Sequence, residues 1–134
     1  MTRPRRPRSP EGVRAEGDPV RSYRLDHRNY QALERKALAE PDPRTMSDIT
    51  RALIEGWTEG EITLTVRVRS PRRAGAIPNP VRSYRCPEPE WQAFTARCTE
   101  AGYTRTSAVL SLLVMWHRGE ITVQWLGDRV EVSA

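Results

Sequence analysis

The six residues PVRSYR occur twice, letter for letter, at positions 19–24 and 80–85 of a 134-residue chain. Six identical residues point to a duplicated unit, and the likeness extends beyond them. At the same 61-residue offset Tyr30 matches Trp91, Ala32 matches Ala93, Leu33 matches Phe94 and Ala37 matches Cys98. Further along, the best offset becomes 59, pairing Thr45 with Thr104, Ser47 with Thr106, Leu53 with Leu112, Trp57 with Trp116 and GEIT at 60–63 with GEIT at 119–122. The change of offset places a two-residue length difference near Glu40-Pro41-Asp42-Pro43. Length differences belong in loops, so the blocks on either side are expected to be regular elements.

Each copy changes period as it proceeds. PVRSYR alternates, setting Arg21, Tyr23 and Leu25 on one side of an extended chain and Val20, Ser22 and Arg24 on the other. In the second copy Arg82, Tyr84 and Cys86 oppose Val81, Ser83 and Arg85. The side with Tyr and Leu or Cys is the expected core face. Helical spacing follows at Tyr30, Leu33, Ala37 and Leu38, and at Trp91, Phe94 and Cys98. Asp26 suits an N-cap and Pro87 or Pro89 a first helical turn. Pro41-Asp42-Pro43 and Gly102 are stop signals, after which Thr45 and Thr104 are expected to cap second helices running to Gly60 and Gly119.

The copies differ after that point. Residues 61–69, EITLTVRVR, alternate as a strand does, whereas residues 120–132 read as a hairpin turning at Gly127-Asp128. The sequence thus divides into a disordered basic tail over 1–18, a first unit plus strand over 19–69, a linker over 70–79, and a second unit plus hairpin over 80–134. Fully extended, the 11 residues SPRRAGAIPNP at 70–80 reach roughly 35 Å, enough to bring the second PVRSYR beside the first. A single unit of this size buries too little surface to be stable alone, so the two are expected to share one core.

The formal charge of +5 comes from 22 basic and 17 acidic residues, and only Lys36 is a lysine. The tail holds five arginines against three acids, and Arg72 and Arg73 face no acid in the linker, so little surplus remains for the rest. Mobile basic arms would attract phosphate whatever the sequence, while any base-reading face must arise from local arrangement.

A short strand, a helix, a tight break and a second helix opening on a capped Thr resemble the ribbon-helix-helix family, the MetJ and Arc class of β-ribbon readers. The resemblance covers residues 19–60 and 80–119. RCPEPEW at 85–91 resembles that family's strand-to-helix junction, and GYTRTSAVLSLL at 102–113 its loop and second helix. Two units in one chain resemble the TraY accessory proteins of conjugative plasmids. The resemblance implies an α+β fold in which tandem units form an intramolecular pseudo-dimer with extra β-strands after each second helix. It also implies that the strands pair antiparallel and enter the major groove, while the N-termini of both second helices hold flanking phosphates.

Elementary chemistry agrees with those roles. Arg bonds bidentately to guanine O6 and N7, and Ser can donate or accept at several bases, so Ser22, Arg24, Ser83 and Arg85 are the expected base contacts. Arg21 and Arg82, on the core side near the ribbon's ends, are expected to swing out to phosphate. Backbone N–H groups at Thr45, Met46 and Ser47, and at Thr104, Arg105 and Thr106, can hold phosphate with help from the helix dipole. Arg105 adds a charge that Met46 lacks, so the halves should grip unequally and prefer an imperfect palindrome.

The remaining features read as structure. Tyr30, Trp57, Trp91, Phe94 and Trp116 lie on helical stripes and are expected in the core. Cys86 and Cys98 align with Leu25 and Ala37 as small apolar packers, and His27 and His117 occupy unmatched positions. Arg67, Arg69 and Arg129 suit a solvated strand edge better than a DNA contact. With no nucleophile-base set, metal spacing or glycine-rich phosphate loop, an enzyme, a metal or a cofactor is not expected. Without an apolar run of about 18 residues or a signal-peptide core, a cytoplasmic, nucleoid-associated protein is expected, with no membrane partner. The expected function is sequence-specific double-stranded DNA binding, for transcriptional repression or as a plasmid or mobile-element accessory factor. Neighbouring chains could associate along DNA through the C-terminal strands, including Trp125. The alternatives are an antitoxin-like or scaffold module that binds proteins through those strands, and a single-strand nucleic-acid binder.

Overall fold

The two identical segments pair with each other. A computed structural model of the chain describes residues 18–69 and 78–134; most of the basic tail and of the linker lies outside them. Strand β1 (Val20–Arg24) runs antiparallel to β2 (Val81–Arg85), with Ser22 opposite Ser83, Val20 opposite Arg85 and Arg24 opposite Val81. Leu25 N donates to Pro80 O at 3.1 Å and Cys86 N to Pro19 O at 3.2 Å, so each strand is closed by the residue preceding its partner. Proline fits at those outer positions because the ladder needs its carbonyl and not an N–H.

Helices follow each strand: α1 (His27–Ala39) and α2 (Met46–Thr58) in the first copy, α3 (Glu88–Ala101) and α4 (Arg105–His117) in the second. The caps are those the sequence predicts. Asp26 accepts from Asn29 N, Thr45 from Asp48 N and Thr104 from Ser107 N, while Pro87 precedes α3 with acidic Glu88 and Glu90 in its first turn. Gly102 closes α3 in the left-handed region at φ 77°, which a residue without Cβ enters freely. The result is an α+β fold in which β-α-α occurs twice, followed by a C-terminal hairpin of β3 (Thr122–Leu126) and β4 (Arg129–Ser133).

One core serves both copies. Trp57 and Trp116, on the second helices, are fully buried with Phe94, Ile49, Leu53, Leu112 and Leu113. Trp57 meets Phe94 of the other copy edge-on at 5.8 Å, an arrangement that suits the ring quadrupoles. The cations cross over as well. Lys36 on α1 donates to Trp116 O and stands 4.9 Å from the Trp116 ring, while its counterpart Arg97 on α3 stands 5.1 Å from Trp57. Each second-helix tryptophan is therefore covered by the other copy's first helix.

The segments beyond the second helices are exchanged too. Residues 63–69 run extended, with Leu64, Val66 and Val68 half-buried and Thr63, Thr65, Arg67 and Arg69 exposed. The alternation is as predicted, but the expected strand is absent: the segment joins no ladder among the described residues. Side chains of the second copy satisfy its backbone instead, with Ser111 Oγ accepting from Val68 N at 2.9 Å, Ser107 donating to Val68 O at 2.5 Å and Tyr103 donating to Val66 O at 3.2 Å. In exchange, the hairpin packs on α2 of the first copy. Gly56 makes that possible, since a Cβ there would lie 2.8 Å from Val132 Cβ. A mid-helix glycine lowers helix stability by roughly 1 kcal/mol relative to alanine, which the close approach explains.

One departure from symmetry stands out on the second helices. Arg51 on α2 donates to Glu90 of α3 at 3.0 and 3.1 Å and to Glu55 at 3.2 Å. Its α4 counterpart is Leu110, which lines an apolar hollow of about 320 Å³ with Leu25, Leu33 and Leu113. Leu38, which shares the helical spacing of Tyr30, Leu33 and Ala37, is 73% exposed. At 3.6 residues per turn it lies about 100° from the centre of the stripe formed by Tyr30, Leu33 and Ala37.

Candidate nucleic-acid interface

Alternation along β1 and β2 turns Tyr23 and Tyr84 inward, where their rings pack 6.0 Å apart. Burial raises both phenols, Tyr23 to about 12. Everything that alternates with them faces out. Ser22, Arg24 and Ser83 are exposed and Arg85 half-buried, so the four expected base-contact residues share one face of the ribbon. Two more side chains lie on that face: Val20, 54% exposed, and Val81, 50% exposed.

The two arginines are held in matching ways. Arg24 Nη1 donates to Asn79 O at 2.8 Å, and Arg85 Nη1 donates to Asp18 O at 2.7 Å. Each guanidinium thus reaches across the ladder to the carbonyl two residues before the opposing valine. A guanidinium carries five N–H donors in a planar fork, so one such anchor fixes its direction and leaves donors for an incoming acceptor.

Arg21 and Arg82 sit differently from the outward-swinging phosphate contacts expected of them. Arg21 donates to Glu88 Oε2 at 2.5 Å and stands 4.5 Å from the Trp91 ring. Its hydrogen bond also holds the Glu88 carboxyl below the usual carboxylate range. Arg82 donates to Leu25 O at 3.2 Å and stands 4.1 Å from the Tyr30 ring. Both pack on the other copy's first helix, because an inner-face arginine gains more by covering an aromatic ring than by extending into water. Arg21 Nε and Arg82 Nη2 nonetheless remain buried without a hydrogen-bond partner.

The second-helix N-termini flank the ribbon and are unequal. At α4, Thr104 and Arg105 are exposed and Thr106 half-buried, and a cleft of about 320 Å³ brings Arg105 and Thr106 together with Val20, Arg21 and Ser22. Arg105 stands 5.0 Å from the Trp91 ring at its edge. At α2, Thr45 is exposed, Met46 buried and Ser47 half-buried. Ser47 Oγ accepts from Arg85 N at 3.2 Å, so this hydroxyl is engaged by the ribbon itself. The structure therefore brings Arg105 and Thr106 to an open cleft and ties Ser47 to the strand.

Outside this face, among the described residues, the thiols are buried and the imidazoles exposed. Cys86 and Cys98 are buried free thiols, raised by burial to about 12 and about 11. His27 and His117 are exposed, and no cluster of three metal-ligating side chains occurs among the described residues. No helix among them is long and apolar enough to cross a membrane.

Alternation alone indicates Ser22, Arg24, Ser83 and Arg85, and the same alternation turns Val20 and Val81 outward. The anchoring carbonyls of Asp18 and Asn79 had no sequence signal, since any residue carries one. No protein-family model, curated protein or solved structure matches the chain.

Proposed function

We propose that the chain is a sequence-specific double-stranded DNA-binding protein of the ribbon-helix-helix type, reading the major groove with β1 and β2. One observation carries the reading: the register sets Ser22 opposite Ser83, so two identical strands present Val, Ser and Arg outward around one pseudo-twofold axis. A two-stranded ribbon is narrow enough for the major groove, where Arg and Ser find base-edge partners. The helix N-termini beside it offer backbone N–H groups and, at α4, the Arg105 charge to flanking phosphates. Arg21 and Arg82 would reach phosphate only by leaving the Trp91 and Tyr30 rings on which they pack. Such a protein acts as a transcriptional repressor or an accessory factor of a mobile element, and performs no chemistry of its own.

A second reading rests on the hairpin. Strands β3 and β4 pair only with each other among the described residues, leaving two outer edges, and Arg44 lies 4.7 Å from the Trp125 ring on this element. Edges of this kind accept added strands, from neighbouring chains on DNA or from another protein. Gel shifts with pools of duplex DNA, single-stranded DNA and RNA separate the readings. Selective retention of duplex supports the ribbon, whereas preference for single strands or absence of any nucleic-acid binding contradicts it.

A further inference from the structure

Among the described residues, the large apolar side chains left exposed are Val20, Leu38 and Val81. Leu38 is not repeated, its counterpart in the second copy being Thr99. The valines are repeated, on the same face and at the same register, amid serines and arginines. Resting on the reading of the ribbon as a major-groove element, we infer that Val20 and Val81 are specificity-determining residues that recognise the C5-methyl group of thymine.

The groove floor offers one apolar feature to such a side chain, the thymine methyl; the other base-edge groups are donors and acceptors. Val20 opposes Arg85 and Val81 opposes Arg24, so each end of the ribbon carries one arginine and one valine. Facing residues in a ladder are about 5 Å apart, while base pairs rise about 3.4 Å. The guanine addressed by an arginine and the thymine addressed by its facing valine therefore lie within about two base steps. The anchors fix which way each arginine points, Arg24 toward Asn79 O and Arg85 toward Asp18 O, in each case past the opposing valine on its own strand. From Val20 to Arg24 a strand spans about 14 Å, or about four base steps with the strands along the groove. The preferred site is thus a guanine with a nearby thymine, repeated in inverted orientation about four base pairs away.

The test starts from the duplex that the full chain selects out of a random library. Each thymine of that duplex is then replaced in turn by deoxyuridine, which pairs identically and lacks only the methyl. The expected result is a loss of about fourfold in affinity at one thymine in each half, with no loss for a V20S V81S double variant that keeps its guanine preference. If the wild-type chain binds its selected site equally well after every such replacement, the valines do not read thymine, though the ribbon reading stands. A V20S V81S variant with an undiminished thymine preference also overturns the inference. Failure of the wild-type chain to select any duplex site overturns the ribbon reading itself, and this inference with it.

Discussion

Ser22 of the first copy stands directly opposite Ser83 of the second, at the centre of the β1–β2 ladder. The six outward side chains are therefore paired by identity about that centre, while the supports beneath them differ. One asymmetry lies where the second helices meet the ribbon, with Arg105 exposed at one N-terminus and Met46 buried at the other. Arg105→Ala should accordingly weaken binding to all duplexes alike and reduce the slope of log affinity against log salt by about one. Titrations of one specific and one unrelated duplex over a range of salt check this. A loss confined to the specific duplex would assign Arg105 to base readout instead.

Neither copy should fold alone. Arg21 covers Trp91, Arg82 covers Tyr30, Lys36 covers Trp116 and Arg97 covers Trp57, each pair joining one copy to the other. Fragments 1–69 and 78–134 should each give the circular dichroism of an unfolded chain and become helical on mixing. A cooperative thermal transition in either fragment alone would refute the shared-core account.

Gly56→Ala should destabilise the protein by about 1–3 kcal/mol, although alanine is the better helix former, because its Cβ would press on Val132. Denaturant unfolding monitored by helix signal measures the difference. Unchanged or raised stability would mean that the hairpin is not held tightly against α2.

Alkaline conditions should weaken the fold through its buried acids. Burial raises Cys86 from 9.0 to about 12, Cys98 from 9.0 to about 11 and Tyr23 from 10.0 to about 12. Each folded-state value lies above the unfolded one, so the folded chain retains protons that the unfolded chain releases. Their stabilising contribution is complete below about pH 9 and is lost as pH rises through about 11 to 12. Melting temperatures recorded from about pH 8 to about pH 11 should hold steady at first and then fall. A profile that stays flat to the upper limit would contradict the burial of these groups.

Much of the fold was legible because its signals are local. The caps at Asp26, Thr45 and Thr104, the stop at Gly102 and the turn at Gly127-Asp128 each depend on a few adjacent residues. What escaped depends on distant partners. The alternation of residues 61–69 told which side faces the protein, but not that Ser107, Ser111 and Tyr103 would satisfy the backbone in place of a strand. Likewise, Arg21 and Arg82 could be assigned to the inner face of their strands, yet the aromatic rings that hold them belong to the opposite copy. For the candidate site, two-residue periodicity was enough to gather Ser22, Arg24, Ser83 and Arg85. Their register required the pairing itself.

Base readout by Arg24 and Arg85 is the claim on which the function rests, and affinity of single-base variants of the selected duplex for wild type, Arg24→Ala and Arg85→Ala tests it most directly. Each substitution should lower affinity by about 1–3 kcal/mol and relax the preference at one G·C pair in its own half of the site. The two affected positions should be related by the twofold axis that passes between Ser22 and Ser83. If both variants bind the same duplex with unchanged affinity and unchanged base preference, the ribbon is not the reader.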